Sequence, residues 1–155
     1  KEEKIQEIIN AGRLAPSGSN KQPLRVFAIK SPKFRKKKKK KGAFIQDFVH
    51  MAPLILVICG DPNVYEKNAP PALKGQGRDR TLRDLSIASS FMVLRATDLG
   101  LSSCWVGMID RQLIKEQLKI PKGYVLPFVL CIGYANEKPA PLARISLNET
   151  KLGEA

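Results

Sequence analysis

The side chains able to do chemistry unaided are few and poorly grouped. The only histidine, His50, precedes Met51-Ala52-Pro53 with no Ser, Cys or Asp partner at a recognisable spacing, so a hydrolytic triad is poorly supported and a structural or surface role is expected. Cys59, Cys104 and Cys131 each sit in an apolar stretch and form no CxxC or CxxH pair, which argues against a metal site or a disulfide framework. They read as buried small hydrophobes, with Cys104, beside the only tryptophan, also placed to lie near a ligand. Most acids fall on predicted helix faces, leaving no paired carboxylates for acid–base work. No GxGxxG follows a strand and no GxxxxGK[ST] occurs, which disfavours a dinucleotide fold or a P-loop. If the chain is an enzyme, a bound cofactor does the chemistry. No side chain is assigned as catalytic.

The elements that must position such a cofactor are legible from periodicity. Ile5, Ile8, Ile9 and Gly12 recur at helical spacing over residues 2–14, predicting a helix with one buried face. The turn formers of Ala15 to Pro23 then predict an ordered loop. Leu24 to Lys30 reads as a strand, Ala43 to His50 as a short helix closed by Pro53, and Leu54 to Cys59 as a central strand apolar on both faces. Residues 64–79 show no period and suggest a long surface excursion or lid. Leu82 to Leu99 is the strongest helix, expected to be largely buried, with Gly100 as its left-handed cap. Ser103 to Val106 predicts a strand, and Asp110 an N-cap for a helix over 111–119, with Ile109 and Ile114 at staple positions. Val125 to Ile132 predicts another two-sided strand, and an extended polar tail runs from Tyr134. The pattern is that of an α+β chain with a mixed sheet layered by helices, in a single domain over 1–155.

Composition sets the outer limits. With 155 residues and 43% apolar side chains the chain has enough material for a core, and no run is apolar and long enough to cross a bilayer. With no secretory signal pattern, a soluble cytoplasmic protein is expected. The formal charge of +13 is concentrated: eight of the nine residues from Lys33 to Lys41 are basic, and without them the remaining 19 cations exceed the 14 acids by only five. A run of that kind reads as a self-repelling loop. It is weak support for a rival reading in which the chain is a non-enzymatic protein holding nucleic acid or an anionic surface.

Three ordered blocks carry a resemblance. Ala15-Pro16-Ser17-Gly18-Ser19-Asn20-Lys21-Gln22-Pro23 resembles the Ala-Pro-Ser-x-x-Asn-x-Gln-Pro signature of FMN-dependent nitroreductases. The helix from Asp84, leading through Leu99-Gly100-Leu101 to Ser103-Cys104-Trp105-Val106-Gly107, is similar to that family's central helix and following turn. The stretch from Leu118-Lys119-Ile120-Pro121 through Ile132-Gly133-Tyr134 to Pro141 and Arg144 is similar to its C-terminal pattern. The resemblance implies a three-layer fold with a mixed, mainly antiparallel sheet and a domain-entwined homodimer with flavin at the subunit interface. It implies hydride transfer from NAD(P)H through FMN, in ping-pong fashion, to nitroaromatics, quinones or similar small acceptors. Dehalogenation or flavin destruction on the same fold remain open alternatives. By the same resemblance Pro16, Ser17, Asn20 and Gln22 contact the flavin, in the partner subunit's site. Trp105, Val106 and Gly107 bring backbone N–H groups and a small residue to the ring edge, and Arg144 grips the phosphate. The family's N-terminal Arg-x-Ser-x-Arg segment has no counterpart here, so tight FMN binding is expected to need residues preceding Lys1.

Overall fold

Why the chain pairs as it does is clearest at the strand Leu54–Gly60, all seven of whose residues are buried. In the computed structural model, which describes residues 2–31, 42–151 and 153, this strand (β2) lies inside a four-stranded sheet. The order is β1 (Leu24–Ile29), β2, β4 (Val129–Gly133) and β3 (Ser102–Val106), and every described pairing is antiparallel. Alternate residues of β2 serve opposite faces. Ile55, Val57 and Cys59 join Phe44, Val49, Ile109, Ile114 and Val129 in one core, while Leu54, Leu56 and Ile58 join Ile8, Leu85, Met92 and Ala96 in the other. Two cores on one sheet make three layers, in agreement with the α+β expectation. Each fully buried aliphatic side chain contributes on the order of 1.5–3 kcal/mol, so the two-sided apolar run is the mechanical centre of the molecule.

One covering layer holds α1 (Glu2–Leu14) against the long helix α3 (Gly77–Asp98), with the one-turn α2 (Asn63–Glu66) beside it; the other holds α4 (Arg111–Leu118). The local signals hold. The Asp110 side chain accepts the Leu113 N–H at 2.9 Å, and Ile109 and Ile114 are both buried in the same core. Gly100, at φ 74°, lets its own N–H reach Thr97 O and the Leu101 N–H reach Ala96 O, both at 2.9 Å, which closes α3 by a Schellman pair.

Four expectations need correction. Ala43 to His50 is not a helix: Phe44 bridges Ile109, and the Asp110 N–H bonds Ala43 O at 2.9 Å, so pairing with a distant segment captures the backbone and only Asp47–Met51 coils, as a 3-10 turn. Helix α3 begins at Gly77 rather than Leu82, because the Glu66 carboxylate accepts the Gly77 N–H at 2.6 Å and the Gly75 N–H at 3.0 Å and caps a helix whose own N-cap, Gln76, offers no side-chain bond. Nor is α3 largely buried. Leu82, Phe91 and Leu94 are 39%, 43% and 69% exposed, leaving an apolar side that the described residues do not cover. The strand expected from Val125 starts at Val129; Val125 makes only an isolated bridge to Gly60, and Pro127, which has no N–H, interrupts the ladder. The remaining differences are small. Cys59 and Cys131 are buried as expected but Cys104 is exposed. The tail is exposed, broken by a capped turn, α5 (Leu147–Thr150). The basic run Lys33 to Lys41 lies outside the described residues. No described helix is long and apolar enough to cross a membrane.

Candidate active site

The loop between α1 and β1 is held in a shape that ordinary residues resist. Ser19, Asn20 and Gln22 have φ of 51°, 53° and 49°, the left-handed region in which a Cβ is crowded. Ser17, extended at φ −139°, fixes the turn by accepting the Gln22 N–H on its Oγ at 2.9 Å and the Asn20 N–H on its carbonyl at 2.9 Å. Because Oγ serves there as an acceptor, the hydroxyl retains a hydrogen to donate. Beside the loop lies an open cavity of about 560 Å³ whose lining includes Pro16, Ser17 and Gln22 with the cationic Arg13, Lys21 and Arg25.

Beneath this loop sits a group that reading the sequence missed. Asp84, on the buried side of α3 and 3% exposed, accepts the Gly18 N–H at 3.1 Å, the Tyr65 hydroxyl, and Arg83 Nε at 3.2 Å. Burial pushes its carboxyl above the ordinary carboxylate range, opposed by the Gly18 N–H. A signal existed: Thr81, Asp84, Ala88, Met92 and Ala96 recur at three- and four-residue steps, which places an acid on the apolar face.

The second group of predicted residues lies across the sheet. Trp105 is 42% exposed and packs on Phe128, with ring centroids 4.6 Å apart. The Val106 side chain is buried in the core, so only its backbone can face a ligand. Gly107 is exposed, and a Cβ there would meet nothing within 4 Å among the described residues. Its carbonyl accepts the Ile109 N–H at 3.0 Å and Arg111 Nη2 at 3.3 Å, which locks the turn. Register places the start of β1 and the end of β3 at the same end of the sheet, Leu24 aligning with Gly60 and Val106 with Val129. They are on opposite edges, three strand spacings or roughly 14 Å apart. Pro16, Ser17 and Gln22 thus share one cavity, Asn20 is exposed on the same loop, and the turn after Trp105 stands apart. Arg144 joins neither group; its guanidinium bonds the nearby carbonyls of Leu142 and Ala143, both at 3.2 Å, in the exposed tail. Among the described residues no cluster of His, Cys, Asp or Glu could hold a metal ion.

The model of the nitroreductase family matches residues 1–41 and 33–134. The chain belongs to the nitroreductase family. This family member is 31% identical over 159 residues to an FMN reductase [NAD(P)H] of Bacillus subtilis, the match covering 93% of this chain and 61% of that one. Among solved structures it resembles a nitroreductase family protein of Clostridium difficile with a TM-score of 0.80 at 28% identity, covering 100% of this chain and 87% of the other. An FMN-dependent nitroreductase of the same organism matches with a TM-score of 0.75 at 28% identity, covering 99% and 87%. The nitroreductase fold expected from the sequence is therefore the fold observed.

Proposed function

We propose that this nitroreductase-family chain is an FMN-dependent NAD(P)H oxidoreductase acting on nitroaromatics, quinones or similar small acceptors, as a cytoplasmic homodimer with flavin at the subunit interface. The observation that carries the reading is the division of its family signatures into two sets at one end of the sheet, on opposite edges. Two copies of the chain could bring one set from each to the same ligand, and the uncovered Phe91 and Leu94 on α3 offer apolar surface for that association. Three free cysteines suit a reducing compartment.

The donor set fits a flavin nucleotide. Arg13, Lys21 and Arg25 line the cavity against a single carboxylate, Asp84, a net positive balance suited to a phosphate-bearing ligand. Ser17 has a hydroxyl hydrogen to donate, the exposed amides of Asn20 and Gln22 offer directional bonds, and Pro16 adds a flat apolar wall. On the other edge Trp105, steadied by Phe128, presents an exposed indole that excludes water, while the Val106-Gly107 backbone lies beside it. Arg144, on its tail, is proposed to reach the phosphate of such a ligand. FMN, when bound, supplies hydride acceptance from NAD(P)H and electron delivery to the acceptor. The protein's own residues bind, orient and shield, and none is assigned as an acid or base.

The test is direct. Purified full-length protein, with the residues preceding Lys1, is expected to quench flavin fluorescence saturably when titrated with FMN and then to oxidise NADH or NADPH when a quinone or nitroaromatic is supplied. Absence of both binding and oxidation refutes the reading. Loss of binding in Asn20→Ala and Gln22→Ala, with folding intact, identifies the loop as part of the site.

A further inference from the structure

The loop that carries Pro16 to Gln22 is short, exposed and conformationally costly, so something must hold it. Its contact with the interior runs through Gly18. The Gly18 N–H donates to Asp84 Oδ2 at 3.1 Å across 66 residues of sequence. The same carboxylate takes the Tyr65 hydroxyl on Oδ2 and Arg83 Nε on Oδ1 at 3.2 Å. Tyr65 is itself 2% exposed and is capped by the Arg80 guanidinium, 4.2 Å from the ring centroid. The fit is close on the buried side: a Cβ on Gly18 would lie 3.3 Å from the Tyr65 hydroxyl, and 2.8 Å from Nη2 of the half-exposed Arg83, which can swing away.

An ionisable carboxylate on the buried face of a helix is expensive unless it is bonded, and an apolar residue would pack the same position without that cost. The bonds to Arg83 and Tyr65 keep Asp84 within α2 and α3, whereas the Gly18 bond leaves that layer. Its effect is to pin the one point of the loop that lies between Ser17 and the left-handed Ser19 and Asn20. Left-handed non-glycine residues persist only where their surroundings hold them.

We propose that Asp84, with Tyr65, is a positioning residue that sets the conformation of the Pro16 to Gln22 loop and thereby the affinity of the flavin site. The inference rests on the flavin reading of that loop. Asp84 touches the loop backbone and is assigned no part in hydride transfer.

The experiment compares wild type, Asp84→Asn, Tyr65→Phe and a control, Ser86→Ala, whose hydroxyl only bonds back to Leu82 O along α3. Two readouts are taken on each folded protein: amide hydrogen exchange of residues 17–22 against β2, and the Kd for FMN from fluorescence quenching. Asp84→Asn keeps an acceptor oxygen but removes its charge, and losing the charge-assisted part of these bonds corresponds to roughly tenfold. Asp84→Asn is therefore expected to speed loop exchange about tenfold and weaken FMN to a similar degree, with β2 exchange unchanged. Tyr65→Phe is expected to give a smaller effect in the same direction, and Ser86→Ala none. A merely structural role would speed exchange in β2 as well and would overturn the proposal. Unchanged loop exchange or unchanged Kd in Asp84→Asn overturns it too, and if that variant fails to fold, Tyr65→Phe decides by the same criteria. Wild type that fails to quench FMN overturns the flavin reading instead, and loop exchange alone then decides whether Asp84 anchors the loop.

Discussion

Gly12 lies where α1 crosses α3, beside the candidate cavity, and its exchange for alanine sets two effects against each other. In a helix, Gly→Ala gains up to about 1 kcal/mol from reduced backbone freedom in the unfolded chain. Here the added Cβ would sit 2.8, 2.9 and 3.0 Å from Cγ, Cε and Sδ of Met92, a side chain with no exposed surface. Forcing one carbon into a filled core costs about 1–3 kcal/mol, at the lower end where a flexible methionine can re-pack. The balance for Gly12→Ala is a loss of roughly 0–2 kcal/mol, or up to roughly 8 °C in Tm for a chain of this length. Met92→Ala removes the obstruction and by itself costs about 2–5 kcal/mol. In that background the alanine methyl enters space that has been vacated, and Gly12→Ala should become stabilising by up to about 1 kcal/mol. The prediction is thus a change of sign, read from urea denaturation of the four proteins of a double-mutant cycle, with a coupling of about 1–3 kcal/mol. Equal destabilisation by Gly12→Ala in both backgrounds would refute the claim that Met92 is what limits the approach of α1 to α3.

Glu66 is held below the ordinary carboxylate range by the Gly75 and Gly77 N–H groups, so its contribution to stability is present above its unfolded pKa and is lost as pH falls through the folded value. Glu66→Gln should lower Tm at pH 7, and the gap to wild type should narrow as pH falls from the ordinary carboxylate range through the lowered folded value; a gap independent of pH would remove the capping role. Asp110→Ala deletes the N-cap of α4 and should cost about 1 kcal/mol, or roughly 2–4 °C in a thermal melt. Burial pushes the Cys131 thiol up to about 12 and the Cys59 thiol up to about 11, while Cys104 is exposed. Native protein should therefore show one fast-reacting thiol with a disulfide reagent at pH 8 and three after unfolding, and Cys104→Ser should abolish the fast phase.

Signals that act within a few residues were readable in advance. The one-faced apolar stripe of α1, the two-sided run of β2, the Asp110 cap and the left-handed Gly100 all appear where spacing and residue type place them. So do the loop from Ala15 to Pro23 and the identity of its polar residues, since prolines and turn formers restrict the backbone locally. The three motif blocks pointed to the family to which the chain belongs.

What sequence could not supply were interactions between distant segments. The start of α3 depends on a carboxylate eleven residues before Gly77. The stretch around Phe44 carries a helical pattern, but pairing with Ile109 offers its backbone other partners. Asp84 looked like one more charge on a helix until folding brought Gly18 and Tyr65 to it. Periodicity tells which face of an element is apolar and says nothing of which element will cover it, as the uncovered Phe91 and Leu94 illustrate. The residue types of the candidate site were thus settled by the sequence. Their separation onto two edges of the sheet, and the buried acid that fixes one loop, were decided by strand order and long-range hydrogen bonds, which exist only once the chain has folded.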